Sequence, residues 1–162
     1  MTVVRRMGLI MYALAFSGSI FAEEVRSIQA GSLSRPDRAF LVLEDEASLR
    51  RIHRELHASA TVPPAFPVID FDQDLVLLAF MGQRSTAGYA VSFDSHALVN
   101  SRVAHVRVIE QTPPSDVMLA SVITSPYVLA ALGRGEFDAV QFVDAEDRCL
   151  ALVDLQSEPT FD

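Results

Sequence analysis

Hydrophobic and polar residues alternate along the chain with either the period of a helix, about 3.6 residues, or that of a strand, about 2 residues. The helical period is clear in one segment. Leu49, Ile52 and Leu56 fall on one face of a helix. Asp45 precedes them, and a carboxylate there accepts hydrogen bonds from the free N–H groups of a first helical turn. Three prolines follow and cannot continue a helix, because proline lacks the N–H and fixes φ. The pattern predicts one amphipathic helix over about residues 45–58.

Short apolar runs bounded by turn residues occupy most of the remaining chain and predict β-strands. Residues 74–81 are almost continuously apolar, as expected for a strand covered on both faces. Residues 102–110 alternate between apolar and polar positions, whereas residues 94–101 are predicted as a polar connection. The other predicted strands are Val25–Ala30, Ala39–Leu43, Tyr89–Phe93, Val117–Ile123, Tyr127–Leu132, Ala139–Val143 and Cys149–Leu155.

These elements predict an α+β fold, a mainly antiparallel β-sheet or sandwich with one amphipathic helix. Tyr89–Phe93 is expected to return along the strand at 74–81, and the last two strands are expected to form a closing hairpin. Residues 117–132 would also suit a helix, so that stretch has two interpretations. We expect a single domain over residues 23–155, followed by a flexible tail at 156–162.

The first 22 residues have the pattern of a secretory signal. Arg5 and Arg6 precede an uncharged, largely apolar run that ends at Ala22. At about 16 residues this run is shorter than the about 20 that a membrane-spanning helix needs. We expect a signal peptide over residues 1–22, a periplasmic or secreted protein, and no stable membrane insertion after cleavage. Cleavage after Ala15 or Ser19, and an uncleaved anchor helix, are alternatives.

Composition narrows the classes of function. The 162 residues include 50% hydrophobic residues, enough for a packed core. The net charge is −8 and all 13 basic residues are arginine, so a broad basic surface for nucleic acid is not expected. A single cysteine, Cys149, excludes an internal disulfide and a zinc cluster. We expect its thiol to be buried and structural.

Three groups of residues match catalytic or metal-binding patterns incompletely. His53 and His57 have the spacing of two metal ligands on a helix, but the glutamate between them is misplaced and a third ligand is not evident. The alternating aspartates of residues 70–74 lack the later glycine and glutamate of a calcium loop. No serine lies in G-x-S-x-G, although His96 or His105 could join one in space. The sequence predicts no catalytic residue, no metal and no cofactor, and leaves a periplasmic hydrolase as an alternative.

Two loops are better candidates for binding. Residues 82–89 join two apolar strands and carry a cation, two hydroxyls, two glycines and an aromatic ring, and residues 124–127 form the second loop. Loops held by rigid strands are common recognition sites. The alternative is that the glycines shape a turn and both tyrosines pack in the core. The predicted binding residues are Arg84, Ser85, Thr86, Gly88, Tyr89, Ser125, Pro126 and Tyr127.

The order of several short motifs carries a family resemblance. Val68-Ile-Asp-Phe71 and an apolar strand precede Gly82-Gln-Arg-Ser-Thr-Ala-Gly-Tyr89, followed by Glu110-Gln-Thr-Pro113 and Thr124-Ser-Pro-Tyr127. From about residue 40 to residue 132 the chain resembles the PrcB family, named for the C-terminal domain of a protease-complex subunit. An alanine replaces the first glycine of the family's Gly-Gly-Tyr. The resemblance implies an exported, non-catalytic domain associated with proteases or other partners, and supplies no catalytic residue.

The sequence thus favours an exported, non-catalytic protein-interaction domain, a protease-associated accessory subunit whose partner is a protein such as a protease. One alternative is a protease inhibitor that presents loops 83–89 and 125–127, which requires both loops at the same end of the fold. Residues 85–89 are similar to the threonine-glycine-tyrosine loops of immunoglobulin-like cysteine-protease inhibitors. A small-ligand binder is a further alternative.

Overall fold

The structure is a computed structural model that describes residues 20–32, 37–58 and 60–155. Residues 1–19 of the predicted signal and the predicted tail at 156–162 lie outside this part. The described residues form nine strands and one helix: β1 (Phe21–Ser32), β2 (Arg38–Leu43), α1 (Glu46–Leu56), β3 (Asp74–Met81), β4 (Ala90–Phe93), β5 (His96–Asn100), β6 (Val103–Gln111), β7 (Pro126–Gly133), β8 (Ala139–Val143) and β9 (Cys149–Asp154).

The strands form one sheet in the order β2-β3-β7-β1-β5-β6-β8-β9, and β4 pairs with β6 beside this path. Neighbouring strands are antiparallel except β6 and β8, which are parallel. The sheet curls until its two outer strands, β2 and β9, approach each other, so it is nearly closed. The predicted mainly antiparallel fold with one helix is confirmed, as a single curled sheet.

Two hydrophobic clusters explain the continuous apolar run of β3. Leu75 and Leu77 face the inside of the curled sheet, where they belong to the same cluster as Phe142. Leu78 lies on the opposite face, in a second cluster with Leu49 of α1. Side chains of a strand alternate between its two faces, so a strand between two apolar layers needs hydrophobic residues at every position. We call these layers the inner cluster and the helix cluster.

Helix α1 begins where its capping residue predicts. Asp45 is the N-cap, and its Oδ1 accepts a hydrogen bond from the backbone N of Ser48 at 2.8 Å. That bond favours the charged carboxylate and lowers the pKa of Asp45. Leu49, Ile52 and Leu56 are buried in the helix cluster. The helix therefore covers the outer face of β3 and β7.

Three local predictions about strands are wrong. The connection predicted at 94–101 contains β5, whose Ala97 and Val99 are buried between exposed neighbours. The predicted return strand is present as β4, but it pairs with β6 and not with β3. The predicted strand at 117–123 is an irregular, largely exposed segment. β5 forms a hairpin with β6 and also pairs with β1, about 75 residues away, and the pairings of β4 and of residues 117–123 are likewise set by tertiary contacts that local periodicity does not contain.

Within the described ranges, no helix has the length and apolar character needed to cross a lipid bilayer.

Candidate functional site

The two predicted loops meet at one end of the fold. We call residues 82–89 the glycine loop. Residues 112–125, which connect β6 to β7 and run into the second predicted loop at residue 124, are called the apolar loop. The backbone N of Arg84 donates to the Thr124 carbonyl at 2.7 Å, and the Thr124 N donates back to the Arg84 carbonyl at 2.9 Å. The Ala87 N donates to the Ala120 carbonyl at 3.1 Å, which ties the loops together at a second point. The bridge puts residues 83–89 and 125–127 at the same end of the fold, as the inhibitor alternative requires, but the side chains of residues 125–127 are buried there.

Side chains of the glycine loop hold one another in place. The Arg84 guanidinium lies 5.5 Å from the centre of the Tyr89 ring, and its Nη2 lies 3.9 Å from Glu110 Oε2. Glu110 also pairs with Arg38 of β2. Tyr89 is half-buried and packs against the inner cluster. Cation–π and exposed ion pairs contribute little to stability, up to about 1 kcal/mol each, so this group orders the loop surface more than it stabilises the fold.

The loop's polar residues are placed differently. Ser85 is exposed and Thr86 is half-buried. The Thr86 carbonyl accepts a hydrogen bond from Thr124 Oγ1 at 3.1 Å. Thr86 therefore contributes its backbone to the junction of the two loops, while Ser85 is open to a partner.

Gly88 meets a steric requirement that no other residue type meets easily. Its φ is +92°, in the region that L side chains rarely adopt. A Cβ built on it would lie 2.9 Å from Pro113 Cβ and 3.4 Å from a Leu119 methyl. Ala87, where the family resemblance expects glycine, is not among the described residues with positive φ. Alanine therefore fits that position without backbone strain.

Replacing Gly88 with alanine is expected to lower the free energy of unfolding by about 1–3 kcal/mol, the usual cost of forcing a side chain into positive φ. Urea denaturation of the purified protein measures it. Ala87→Gly is the matched control and is expected to cost less than about 1 kcal/mol. Equal stability of Gly88→Ala and the wild type would contradict the argument.

The three predicted residues of the second loop lie inside the protein. Ser125, Pro126 and Tyr127 are buried, and Ser125 is fully inaccessible. The Tyr127 hydroxyl accepts a hydrogen bond from Gln29 Nε2 at 2.9 Å, and burial raises its pKa. In this structure the side chains of all three are buried and not exposed to a partner. Their binding role stays a prediction.

The apolar loop instead exposes residues that the sequence analysis assigned to a strand. Met118 is 100% exposed, and Val117, Val122 and Ile123 are each about half exposed or more. Exposed apolar residues grouped on one segment mark interaction sites more often than scattered ones do. An apolar run predicts a buried strand and an exposed apolar loop equally well, so the sequence pattern could not separate the two.

The two helix histidines pack against each other. The rings of His53 and His57 are 4.6 Å apart, and Gln29 Nε2 lies 3.1 Å from His57 Nε2. Gln29 also donates to Tyr127, so His57 completes a polar chain between α1, β1 and β7. Burial, and secondarily the neighbouring His53, lower the pKa of His57. Among the described residues no three His, Cys, Asp or Glu side chains are grouped to hold a metal.

The lowered pKa of His57 predicts loss of stability in mild acid. The unfolded chain binds a proton at about pH 6.5, whereas the folded chain binds it only at lower pH. The contribution is complete above about pH 6.5 and is lost as the pH falls through the lower folded value. The free energy of unfolding should therefore fall less between pH 7 and pH 5 in His57→Gln than in the wild type. An equal fall of the free energy of unfolding in the wild type and in His57→Gln between pH 7 and pH 5 would contradict the prediction.

The residues named for the hydrolase alternative are not arranged in the order of a triad. His96 Nδ1 lies 2.9 Å from Ser95 Oγ, but the nearby carboxylate of Asp94 contacts the serine at 3.4 Å and not the imidazole. A Ser–His–Asp triad has the imidazole between the other two groups. His105 is half-buried on β6.

The expectation of a buried thiol is wrong: Cys149 is exposed, because it begins the outer strand β9.

The fold and its loops define a class: a β-rich domain, nearly closed around an apolar core, that presents a braced apolar loop at one end. Residues 75–132 match the family model described as PrcB C-terminal. The match runs from β3 to β7 and includes both loops. The predicted resemblance is confirmed, and the chain is PrcB-like over this range. Comparison with curated proteins found no match, and comparison with solved structures found none either.

Proposed function

We propose that this protein is an exported, non-catalytic protein-interaction domain that serves as an accessory subunit of a protease complex. The PrcB C-terminal match supports a protease-complex-associated role. We choose the apolar loop as the contact surface because Met118 is completely exposed there. Hydrogen bonds to the glycine loop fix the apolar loop on one side. A surface of this kind suits association with another protein.

The bracing of the apolar loop matters for affinity. Binding costs free energy when it immobilises a mobile loop, so a loop already held by its neighbours loses less on association. The bridge between Arg84 and Thr124, together with the Ala87–Ala120 bond, provides this bracing. Arg84, Ser85 and Tyr89 belong to the glycine loop, which is hydrogen-bonded to the apolar loop, and supply polar and aromatic groups there. An apolar centre with a polar rim is the usual layout of a protein interface.

Export is the part of the proposal that depends on the first 22 residues. The two arginines and the following uncharged run support it. Cleavage after Ala22 would remove the first two residues of β1 and leave the strand beginning at Glu23. N-terminal sequencing of the protein recovered from the cell envelope tests this site, and recovery of the intact chain from the cytoplasm would contradict export.

Affinity capture from the native envelope tests the association. We expect the tagged chain to retain a protein with peptidase activity, and the two purified proteins to bind again saturably. Retention of proteins without peptidase activity, or a retained peptidase that does not bind again when purified, would contradict the proposal.

A second assay, on this protein and the captured peptidase, distinguishes the inhibitor alternative from the accessory-subunit role. The inhibitor alternative is favoured by the bridge between Arg84 and Thr124, which brings loop 83–89 next to the start of loop 125–127. Peptidase activity should persist at saturating amounts of an accessory subunit and should fall to near zero at equimolar amounts of a tight inhibitor. This measurement decides between two functions that use the same surface.

A further inference from the structure

A cavity between α1 and Phe66 lies outside the loop surface described above. It has a volume of about 390 Å³ and is lined by Arg50, His53, Arg54 and Phe66. Three of the four lining residues are basic, and none is acidic. The whole chain has a net charge of −8, so this concentration of basic groups runs against the overall composition.

The lining arginines differ in their partners. Arg50 is fixed: it pairs with Glu46, and its guanidinium carbon lies 4.5 Å from the centre of the Phe66 ring. Arg54 Nε donates a long hydrogen bond of 3.4 Å to the Arg50 carbonyl, and its guanidinium forms no ion pair with a carboxylate of the described residues. Its guanidinium therefore keeps most of its five donors available.

The histidine that lines the cavity is also unsatisfied. His53 is 9% exposed, and its Nε2 is buried without a hydrogen-bond partner among the described residues. A buried polar atom without a partner costs about 1–3 kcal/mol. The ring meets Phe66 edge-on, with centroids 5.4 Å apart. The imidazole therefore belongs to the basic lining of the cavity, and no described protein group occupies its Nε2.

We propose that this cavity binds an organic carboxylate attached to an apolar group. The guanidinium fork of Arg54 matches the two oxygens of a carboxylate, and charge-assisted bonds of this type are the stronger hydrogen bonds. Phe66 supplies an apolar surface for the body of the ligand. The same chemistry occurs in a free aromatic acid and in the C-terminal residue of a peptide. This proposal is independent of the partner role of the loops.

Titrations followed by amide chemical shifts test the site with defined probes. Benzoate represents a free acid, N-acetylphenylalanine represents a peptide C-terminus, and benzamide is the uncharged isostere of benzoate. We expect saturable binding of at least one acid, with shifts centred on residues 50–54 and 66, and no saturable binding of benzamide. The acid that binds more tightly identifies the source. Absence of saturable binding by both acids, or equal binding of benzamide, would overturn the proposal.

A matched pair of variants tests the residue assignment. Arg54→Gln should weaken acid binding by about tenfold, the loss expected for one charge-assisted contact. Arg51→Gln lies on the same helix but lines a different cavity, beside β2 and β9, and should leave affinity unchanged. The affinities of both variants are compared at a temperature at which thermal unfolding shows each of them to be folded. Equal affinities of the two variants would overturn the role of Arg54.

Discussion

Met118→Asp is expected to weaken binding of the captured peptidase by about thirtyfold, which corresponds to about 2 kcal/mol. Met118 is completely exposed in the apolar loop, so its methionine side chain is available to enter an apolar pocket of the partner. A carboxylate at the same position would lose its hydration without gaining a counter-charge, and burial of an unpaired charge is costly. Titration of the purified partner, followed by calorimetry, measures the change.

Val68→Asp is the matched control for this variant. Val68 is 97% exposed and lies in the segment between α1 and β3, away from the bonded pair of loops. The same change of charge and loss of apolar surface at Val68 should leave the affinity within about twofold of the wild-type value, because residues outside the contact surface contribute little binding energy. If Met118→Asp binds as well as Val68→Asp, the apolar loop is not the contact surface, whereas the association itself is tested by the wild-type capture.

Phe142→Ala is expected to lower the free energy of unfolding by about 3–5 kcal/mol. Phe142 is fully buried in the inner cluster. Its ring stacks on Phe40 of β2 at 5.3 Å and lies 6.0 Å from Phe93 of β4. β8 has no backbone pairing with either strand, so these rings link parts of the sheet that hydrogen bonds do not join. Removing the ring leaves a cavity at that link.

Urea denaturation measures this effect, with two further variants to interpret it. Phe142→Leu leaves a smaller cavity and should cost about 1–2 kcal/mol, which keeps the prediction measurable if the alanine variant does not fold. Leu152→Ala changes a residue that is 59% exposed on β9 and should stay within about 0.5 kcal/mol of the wild type. A loss in Phe142→Leu no larger than that in Leu152→Ala would contradict the role of the inner cluster.

The candidate site was only partly contained in the sequence. The glycines, the cation and the aromatic ring of the glycine loop pointed to it, and the structure gives a steric reason for Gly88. The contact between Arg84 and Thr124 joins residues 40 positions apart, and local patterns carry no information about such a pairing. The burial of Tyr127 follows from the same non-local geometry, because β7 lies between β1 and β3.

The sequence by itself indicated the helix and the strands β1, β2, β3, β4, β6, β8 and β9, because capping, periodicity and turn residues act within a few positions. For β7 it left a strand and a helix as alternatives. Only the tertiary structure decided which strands pair, which apolar run stays exposed, and which polar groups meet. The segment at 117–123 shows the reason. Its apolar residues suit a strand, but a strand needs a continuous series of backbone hydrogen bonds to a neighbour, and here the described bond from the glycine loop reaches Ala120 alone. Met118 lies two residues before this contact and is completely exposed.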